Sequence, residues 1–281
     1  VLNIGLDLAF ILVFRLGVAG ASLATVLSQG VSGLACLVYM VKKFPILHMS
    51  REERQLDIRS CRALCFMGVP MGLQYSITAI GSIFLQSAVN SLGSLYVAGV
   101  AAGSKLFQLL GCPYDAMGAT MATYCGQNVG AVKLDRLGKG VRACSLLGLI
   151  YALIAFGGML LFAPQGAMLF LDPTEPELAT LVDLTAQYIR TLTAFFFPLA
   201  LVNIVRFSIQ GMGFSGLAIL AGVMEMIART AVGVIFVPMF GYTAACFASP
   251  AAWVCADLFL IPACMGSINR LRKIYEKEPE A

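Results

Sequence analysis

Charged residues are scarce in this sequence. Only 12% of its 281 residues are Asp, Glu, Lys or Arg, about half the share of a soluble domain, while 59% are apolar and the mean hydropathy is +0.85. It has a single histidine, His48, and none of its nine cysteines forms a CxxC pair, so it offers no recognisable zinc site. This scarcity excludes an ordinary soluble domain and indicates a chain that lies mostly within a lipid bilayer.

Motifs of the common enzyme classes are also missing. The sequence contains no HExxH, no GxSxG and no Walker-type GxxxxGK[ST]. A membrane-embedded enzyme would need clustered His, Asp or Glu near an interface, and the sequence shows no such cluster. The net charge of +4 is spread over the loops, so it forms no patch for nucleic acid. We therefore expect neither an enzyme nor a cofactor nor a nucleic-acid partner, and any uphill work would depend on an ion gradient or a separate subunit.

Long apolar runs are what the sequence has instead, each of the length that a helix needs to cross a bilayer. They cover residues 16–41, 63–92, 95–124, 141–162, 185–210, 217–239 and 242–268, and a partial run, 1–14, precedes them. Because unpaired backbone groups are not tolerated in lipid, each run predicts a helix, and the prolines inside the runs predict bends. The expected fold is an all-α, polytopic helical bundle.

The loops between the runs alternate in charge. Segments 42–62, 133–142 and 270–277 are rich in Lys and Arg, whereas the loop at 164–184 is acidic. Basic loops stay on the cytoplasmic side of a membrane. We therefore expect a multi-pass protein of the inner (plasma) membrane with a cytoplasmic C-terminus.

A few ionisable residues interrupt the apolar runs, where charge is costly and usually functional. Glu225 and Arg229 are four residues apart, so they share a helix face and are predicted to pair. The pair either only orients its helix, or separates so that Glu225 takes up a proton or cation. Asp257 is a second candidate carboxylate, and Lys105 could offset a carboxylate or snorkel to an interface. Arg206 lies near the end of its run, which favours an anchoring role.

Three amide side chains inside the runs are candidates for lining a water-filled passage. They are Gln74, Asn203 and Gln210. Alternatively, such groups join neighbouring helices through hydrogen bonds worth about 1 kcal/mol each.

An internal echo links two distant stretches. Residues 17–29 (GVAGASLATVLSQ) and 241–253 (GYTAACFASPAAW) share a glycine and two alanines at equal spacing, and each follows a short turn and opens a helix. Secondary transporters are often built from two repeated halves. The echo predicts such a protein, of which only the last piece of the first half is present.

Residues 125–131, CGQNVGA, end one apolar run and precede a basic loop. This stretch resembles the GQN-x-GA signature of the multidrug and toxic compound extrusion (MATE) transporters. The stretches 3–10 (NIGLDLAF) and 16–29 look like that family's passage from its fifth to its sixth helix. The motif residues, interpreted as structural, are Gly126, Gln127, Asn128 and Gly130.

The resemblance implies a twelve-helix antiporter of two six-helix lobes. It would export xenobiotic, cationic or amphipathic compounds by alternating access, in exchange for H⁺ or Na⁺. In the branch that uses a carboxylate on the first C-lobe helix, this chain offers only Gln74 there, which moves the predicted coupling role to Glu225. The expected partners are membrane lipid, drug-like small molecules and a missing N-terminal lobe.

The same resemblance implies that the chain is an N-terminally truncated fragment. Residues 1–42 would be the end of the N-lobe (part of helix 5, and helix 6), 43–62 a cytoplasmic interlobe loop, 63–268 the C-lobe (helices 7–12) and 269–281 a cytoplasmic tail. Expressed alone, the chain is expected to insert into the membrane but not to transport.

Two alternatives stay open within this fold. A lipid-linked oligosaccharide flippase would need a strongly basic central cavity, for which Lys105, Arg190 and Arg229 are the candidates. The chain could also be an inactive truncated product.

Overall fold

Helices account for the regular structure in the part of the chain that the computed structural model describes, residues 2–45 and 57–277. The α-helices of these ranges are α1 (Leu2–Leu8), α2 (Gly17–Lys43), α3 (Ile58–Asn90), α4 (Ser94–Gly130), α5 (Asp135–Met168), α6 (Leu178–Ala194), α7 (Phe196–Gly211), α8 (Ser215–Ala231) and α9 (Val237–Lys277). π-Helical turns at Ala9–Val13 and Val232–Phe236 follow α1 and α8. The chain divides into two compact units, Val1–Cys61 and Arg62–Ala281.

Most of these helices have the length and composition of membrane spans. Within the described ranges, α2, α3, α4 and α5 qualify singly, as does the run Ser215–Glu276, and α6 and α7 together form a span bent by 52°. As one straight helix, the 62-residue run would measure about 93 Å, three times the hydrocarbon thickness of a bilayer. It is interrupted at Gly241, whose φ of 60° and ψ of −140° are not helical. The prediction of an all-α, polytopic membrane protein is confirmed.

The bend between α6 and α7 lies at Phe195, just before Pro198. Proline is tolerated there because it occupies the first turn of α7, where its missing N–H has no helical bond to lose. Elsewhere the helices continue through the prolines in their interiors, which are Pro70 in α3, Pro113 in α4, Pro164 in α5, and Pro250 and Pro262 in α9.

The two echoed stretches have matching backbones. Each opens at a glycine with a positive φ, 54° at Gly17 and 60° at Gly241, a conformation that glycine adopts without steric cost. Each is also preceded by a π-helical turn. The similarity therefore extends from side-chain spacing to local backbone geometry.

Loops with the same predicted sidedness are neighbours within the second unit. Near the end of α9, Arg272 binds Asp135 at the start of α5 at 3.0 Å, and Arg270 lies 5.7 Å from the ring centre of Phe214, between α7 and α8. At the other end, the acidic segment around Glu175 lies beside Ser94, the first residue of α4. The basic loop residues 46–56 are outside the described ranges.

The acidic loop also contains an ordered turn at Asp172. The Asp172 carboxylate accepts a hydrogen bond from the Thr174 hydroxyl at 2.7 Å and one from the Thr174 backbone N–H at 2.9 Å. Both bonds stabilise the ionised form and so hold the pKa of Asp172 below its ordinary value. The bond from the Thr174 hydroxyl has the larger effect. The loop therefore keeps its negative charge at neutral pH.

Aromatic rings join three helices in the core of the second unit. Tyr114 of α4 and Phe196 of α7 are fully buried and meet edge to face at 5.4 Å between ring centres. Phe107, two turns before Tyr114, stacks on Trp253 of α9 at 5.9 Å. These contacts fix α4, α7 and α9 around the site described below.

The division of the chain into a lobe end, an interlobe loop, a C-lobe and a tail stays a prediction. Helix α9 continues past residue 268 to Lys277, so the described part of the predicted tail is helical.

We expect Gly211→Ala to lower stability by about 1–3 kcal/mol, the usual cost of overpacking. A Cβ at Gly211 would overlap the carbonyl group of Ala122 in α4, and backbone atoms cannot rotate away as a side chain can. Gly216→Ala is the matched control, because nothing lies within 4 Å of a Cβ at that position of α8. Thermal unfolding in detergent measures both, and equal melting temperatures would contradict the close approach of α4 and α7.

Candidate functional site

A buried ion cluster is centred on Glu225 in α8. Its Oε1 accepts a hydrogen bond from Nη2 of Arg206 in α7, and its Oε2 lies 3.3 Å from Nη2 of Arg229, one turn further along α8. All three residues are more than nine-tenths buried. The predicted pairing of Glu225 with Arg229 is confirmed, and Arg206 is a second partner that the spacing did not reveal.

The predicted anchoring role of Arg206 at a membrane interface is wrong. Arg206 is 8% exposed and bonded to Glu225, because α7 packs against α4, α5 and α9 and directs this side chain inward. A buried guanidinium requires an acidic partner, and Glu225 supplies it.

The cluster has one carboxylate for two guanidinium groups, so it carries one excess positive charge. Arg229 is held only by long contacts, since its Nη1 lies 3.4 Å from both the Thr78 carbonyl oxygen and the Ser82 hydroxyl of α3. The Nε atoms of Arg206 and Arg229 are buried and have no hydrogen-bond partner among the described residues. Arg229 is therefore the less satisfied of the two cations.

Asp257 of α9 lies close to this cluster. It is 7% exposed and within electrostatic range of Arg206 and Glu225. Its buried Oδ1 finds no donor in the part of the chain that the structure describes. A buried carboxylate oxygen without a donor is costly, so this position suits a carboxyl group that holds a proton or a bound cation.

The three predicted amide candidates divide into two groups. Nε2 of Gln210 donates to Oε1 of Gln74 at 2.8 Å, joining α7 to α3, and both residues are buried. This geometry matches the interhelical hydrogen bond that the sequence left as an alternative. Asn203 instead lines the cavity of the second unit.

That cavity has a volume of about 440 Å³ and lies among α3, α4, α6, α7, α8 and α9. Arg206, Glu225 and Arg229 contribute charged groups to its wall, and Phe107 and Trp253 contribute an apolar, aromatic part. Helix α4 adds a polar stripe, formed by Ser104, Gln108, Gly111 and Asp115.

Lys105 is placed away from the cluster. It is exposed on α4, it does not line the cavity, and it makes no hydrogen bond or ion pair with the described residues. The geometry therefore does not bring Lys105 to a carboxylate.

The GQN motif ends α4. Nδ2 of Asn128 donates to the carbonyl oxygen of Tyr124 at 2.8 Å, and the backbone N–H of Ala131 donates to that of Gln127 at 3.0 Å. Gly126 packs close to the carbonyl oxygen of Gly211. In this structure Gly126, Gln127 and Asn128, followed by Gly130, form the end of α4 and do not line the cavity that contains the ion cluster.

Sequence reasoning missed Asp115, and a readable signal was present. Residues 104, 108, 111 and 115 recur at intervals of four, three and four, which places them on one face of a helix. All are polar or glycine within a largely apolar run, so the pattern predicts a polar stripe. Its last member supplies the cavity with an exposed carboxylate.

The chain is similar in sequence to curated bacterial proteins. The probable multidrug resistance proteins YpnP and YoeA of Bacillus subtilis (strain 168) are 37% identical over 135 residues and 26% identical over 164 residues. These alignments cover 46% and 57% of this chain, but 29% and 35% of the relatives. The chain thus matches about a third of each curated relative's length.

The fold is also found among solved structures. A crystal structure of MATE in complex with MaL6 superimposes with a TM-score of 0.88 at 22% identity, covering 97% of this chain and 61% of that one. The outward-facing conformation of a multidrug resistance MATE family transporter of the MOP superfamily gives the same values. The model of the MatE family matches residues 70–239, more than half of the chain, including Arg206, Glu225 and Arg229. The chain belongs to the MatE family of membrane transporters.

Proposed function

We propose that this chain is part of an ion-coupled antiporter of the inner membrane that exports cationic or amphipathic xenobiotics by alternating access. Family membership supports multidrug efflux. The observation that carries the coupling part is Asp257, a buried carboxyl group with an unpartnered oxygen beside the Arg206–Glu225 bond. The proposed partners are membrane lipid, drug-like small molecules and a second lobe, and the proposed coupling ion is H⁺ or Na⁺.

The coupling step is assigned to Asp257 in preference to Glu225. Both carboxylate oxygens of Glu225 already contact guanidinium groups, whereas one oxygen of Asp257 has no donor among the described residues, so Asp257 has the free position for an ion. When Asp257 is protonated, Arg206 stays with Glu225. When Asp257 is ionised, it competes for Arg206 and weakens the contact between α7 and α8. The ion at Asp257 would thereby bias the packing of helices that line the cavity.

Asp115 supports a cationic or amphipathic substrate. It is an exposed carboxylate on the cavity wall and forms no ion pair with the described residues. Phe107 and Trp253 offer an apolar surface for the rest of the molecule. The described cavity wall has two arginines and two carboxylates, Glu225 and Asp115. Although Asp115 forms no ion pair with either arginine, the described wall as a whole lacks the strongly basic character that a lipid-linked oligosaccharide flippase would need.

Ethidium efflux from an exporter-deficient strain tests the function. The 281-residue chain is compared with the same chain joined to any upstream coding sequence in frame, and with the empty vector. We expect the extended chain to restore efflux and a protonophore, or removal of Na⁺, to abolish it. Efflux equal to the empty vector from both forms would contradict the proposal.

Cysteine labelling tests the proposed orientation. In a background without the nine native cysteines, we expect Glu175→Cys to react with an impermeant maleimide in intact cells, because the acidic loop faces outward. Glu53→Cys, in the basic loop outside the described residues, should react only after permeabilisation. The reverse labelling pattern would invert the topology.

A further inference from the structure

We propose that Arg229 is a binding site for the anionic group of those amphipathic substrates that carry one, an aromatic carboxylate being the simplest case. The proposal deepens the proposed function by naming a chemical feature of the cargo, and it rests on that function only for the statement that the bound molecule is exported. Binding itself can be measured without transport.

The first argument is the hydrogen bonding of Arg229. A guanidinium group has five N–H donors, and here its three contacts with Glu225, Thr78 and Ser82 are 3.3–3.4 Å long. Its Nε has no hydrogen-bond partner among the described residues, although Arg229 is deeply buried, with only 7% of its surface exposed. Good charge-assisted bonds are about 2.7–2.9 Å. The side chain is therefore buried without the short bonds that normally compensate its desolvation.

The second argument is charge. Glu225 is the carboxylate shared by Arg206 and Arg229. Within the cluster one carboxylate therefore faces two guanidinium groups, and an uncompensated positive charge is expensive within a membrane. An anion entering the cavity beside Arg229 would neutralise this excess charge and accept hydrogen bonds from the guanidinium group.

The third argument is the composition of the cavity wall around Arg229. The Ser82 hydroxyl already donates to the Thr78 carbonyl oxygen at 3.2 Å, and Ser104 is hydrogen-bonded to Tyr188, so the guanidinium is the donor left for an anion on this part of the wall. Phe107 and Trp253 stack with an interplanar angle of 15° and present an aromatic surface to the same cavity. A guanidinium group beside an aromatic wall is complementary to an aromatic body carrying a carboxylate.

Three fluorescent probes that share a dansyl group provide the test. Dansylglycine is an anion, its carboxamide is neutral and nearly the same size, and dansylcadaverine is a cation. Their dissociation constants are measured by fluorescence titration with the purified chain in nanodiscs, and empty nanodiscs are subtracted. We expect the chain to bind dansylglycine about tenfold more tightly than the carboxamide, the preference that one charge-assisted hydrogen bond provides.

Arg229→Gln is expected to remove this preference while leaving the affinity for the carboxamide within about twofold. Arg190→Gln is the matched control, since Arg190 donates to the carbonyl oxygens of Met159 and Leu160 and does not line the cavity. This control should keep the preference.

Two results would overturn the proposal. One is equal binding of dansylglycine and its carboxamide by the unaltered chain, which decides the matter even where the variant fails to fold. The other is an unchanged preference in Arg229→Gln. Tight binding of dansylcadaverine together with no anion preference would remove only this inference and leave the proposed function standing. An anion preference without efflux in the ethidium assay would remove the proposed function and leave this inference standing.

Discussion

Glu225→Gln is expected to be the most damaging single substitution in the ion cluster. It removes the one carboxylate that bonds both Arg206 and Arg229, leaving two buried guanidinium groups side by side. Removing one partner of a buried ion pair typically costs about 3–5 kcal/mol, and here one change strands two cations. We expect most of the variant to be lost from the monodisperse peak in detergent size-exclusion chromatography, with a lower melting temperature for what remains.

Further substitutions should recover part of this loss. Adding Arg206→Met to Glu225→Gln removes one stranded cation, and adding Arg229→Met as well leaves no unpaired charge, so stability should rise at each step. Asp135→Asn is the matched control, because Asp135 forms an exposed ion pair with Arg272 worth about 0–1 kcal/mol. If Arg229→Ala alone destabilised more than Glu225→Gln, as a one-to-one pair would predict, the shared role of Glu225 would be disproved.

Asp257→Asn is expected to abolish gradient-driven efflux while the folded protein is retained. The amide has nearly the shape of the neutral carboxyl group, so packing around this buried residue should survive. It cannot bind or release a proton, and it is a weaker ligand for a cation. We expect the initial rate of ethidium efflux to fall at least about tenfold, and the melting temperature to change by only a few degrees, as for a neutral surface substitution.

Asp183→Asn is the control for the same chemical change at an exposed position near the start of α6. Its efflux should equal that of the unaltered protein. Full efflux by Asp257→Asn would remove Asp257 from the coupling step and return Glu225 to consideration. A large loss of folded Asp257→Asn would instead show that the ionised carboxylate is a structural partner of Arg206.

The sequence predicts the helical spans well because a membrane span depends on local composition. The division of the run Ser215–Glu276 can also be predicted from the sequence. Gly241, where the backbone is not helical, lies between the apolar runs 217–239 and 242–268. The pairing of Glu225 with Arg229 is predictable for the same reason, as both lie on one helix face.

Contacts between helices are where sequence reasoning fell short. Arg206 and Glu225 belong to different helices, and so do Gln74 and Gln210, whose meeting depends on how α3 packs beside α7. The distance of Arg206 from the end of its run indicated an interface, but depth along a helix does not tell which neighbour the side chain faces. That direction follows from packing, which one sequence does not encode in any local pattern.

In mechanical terms, the close packing of α4 against α7 makes this pair of helices a rigid unit. A Cβ at Gly118 would lie only 2.7 Å from Cδ2 of Phe207, and Gly211 abuts the backbone of Ala122, so little sliding is possible without overlap. Helix α8 is followed instead by a π-helical turn and the non-helical Gly241, which interrupt the regular hydrogen-bond ladder. We therefore expect any relative displacement to occur between α8 and the α4–α7 pair. The Arg206–Glu225 hydrogen bond joins α7 to α8 across this boundary, so its strength contributes to the free energy needed to separate these two helices.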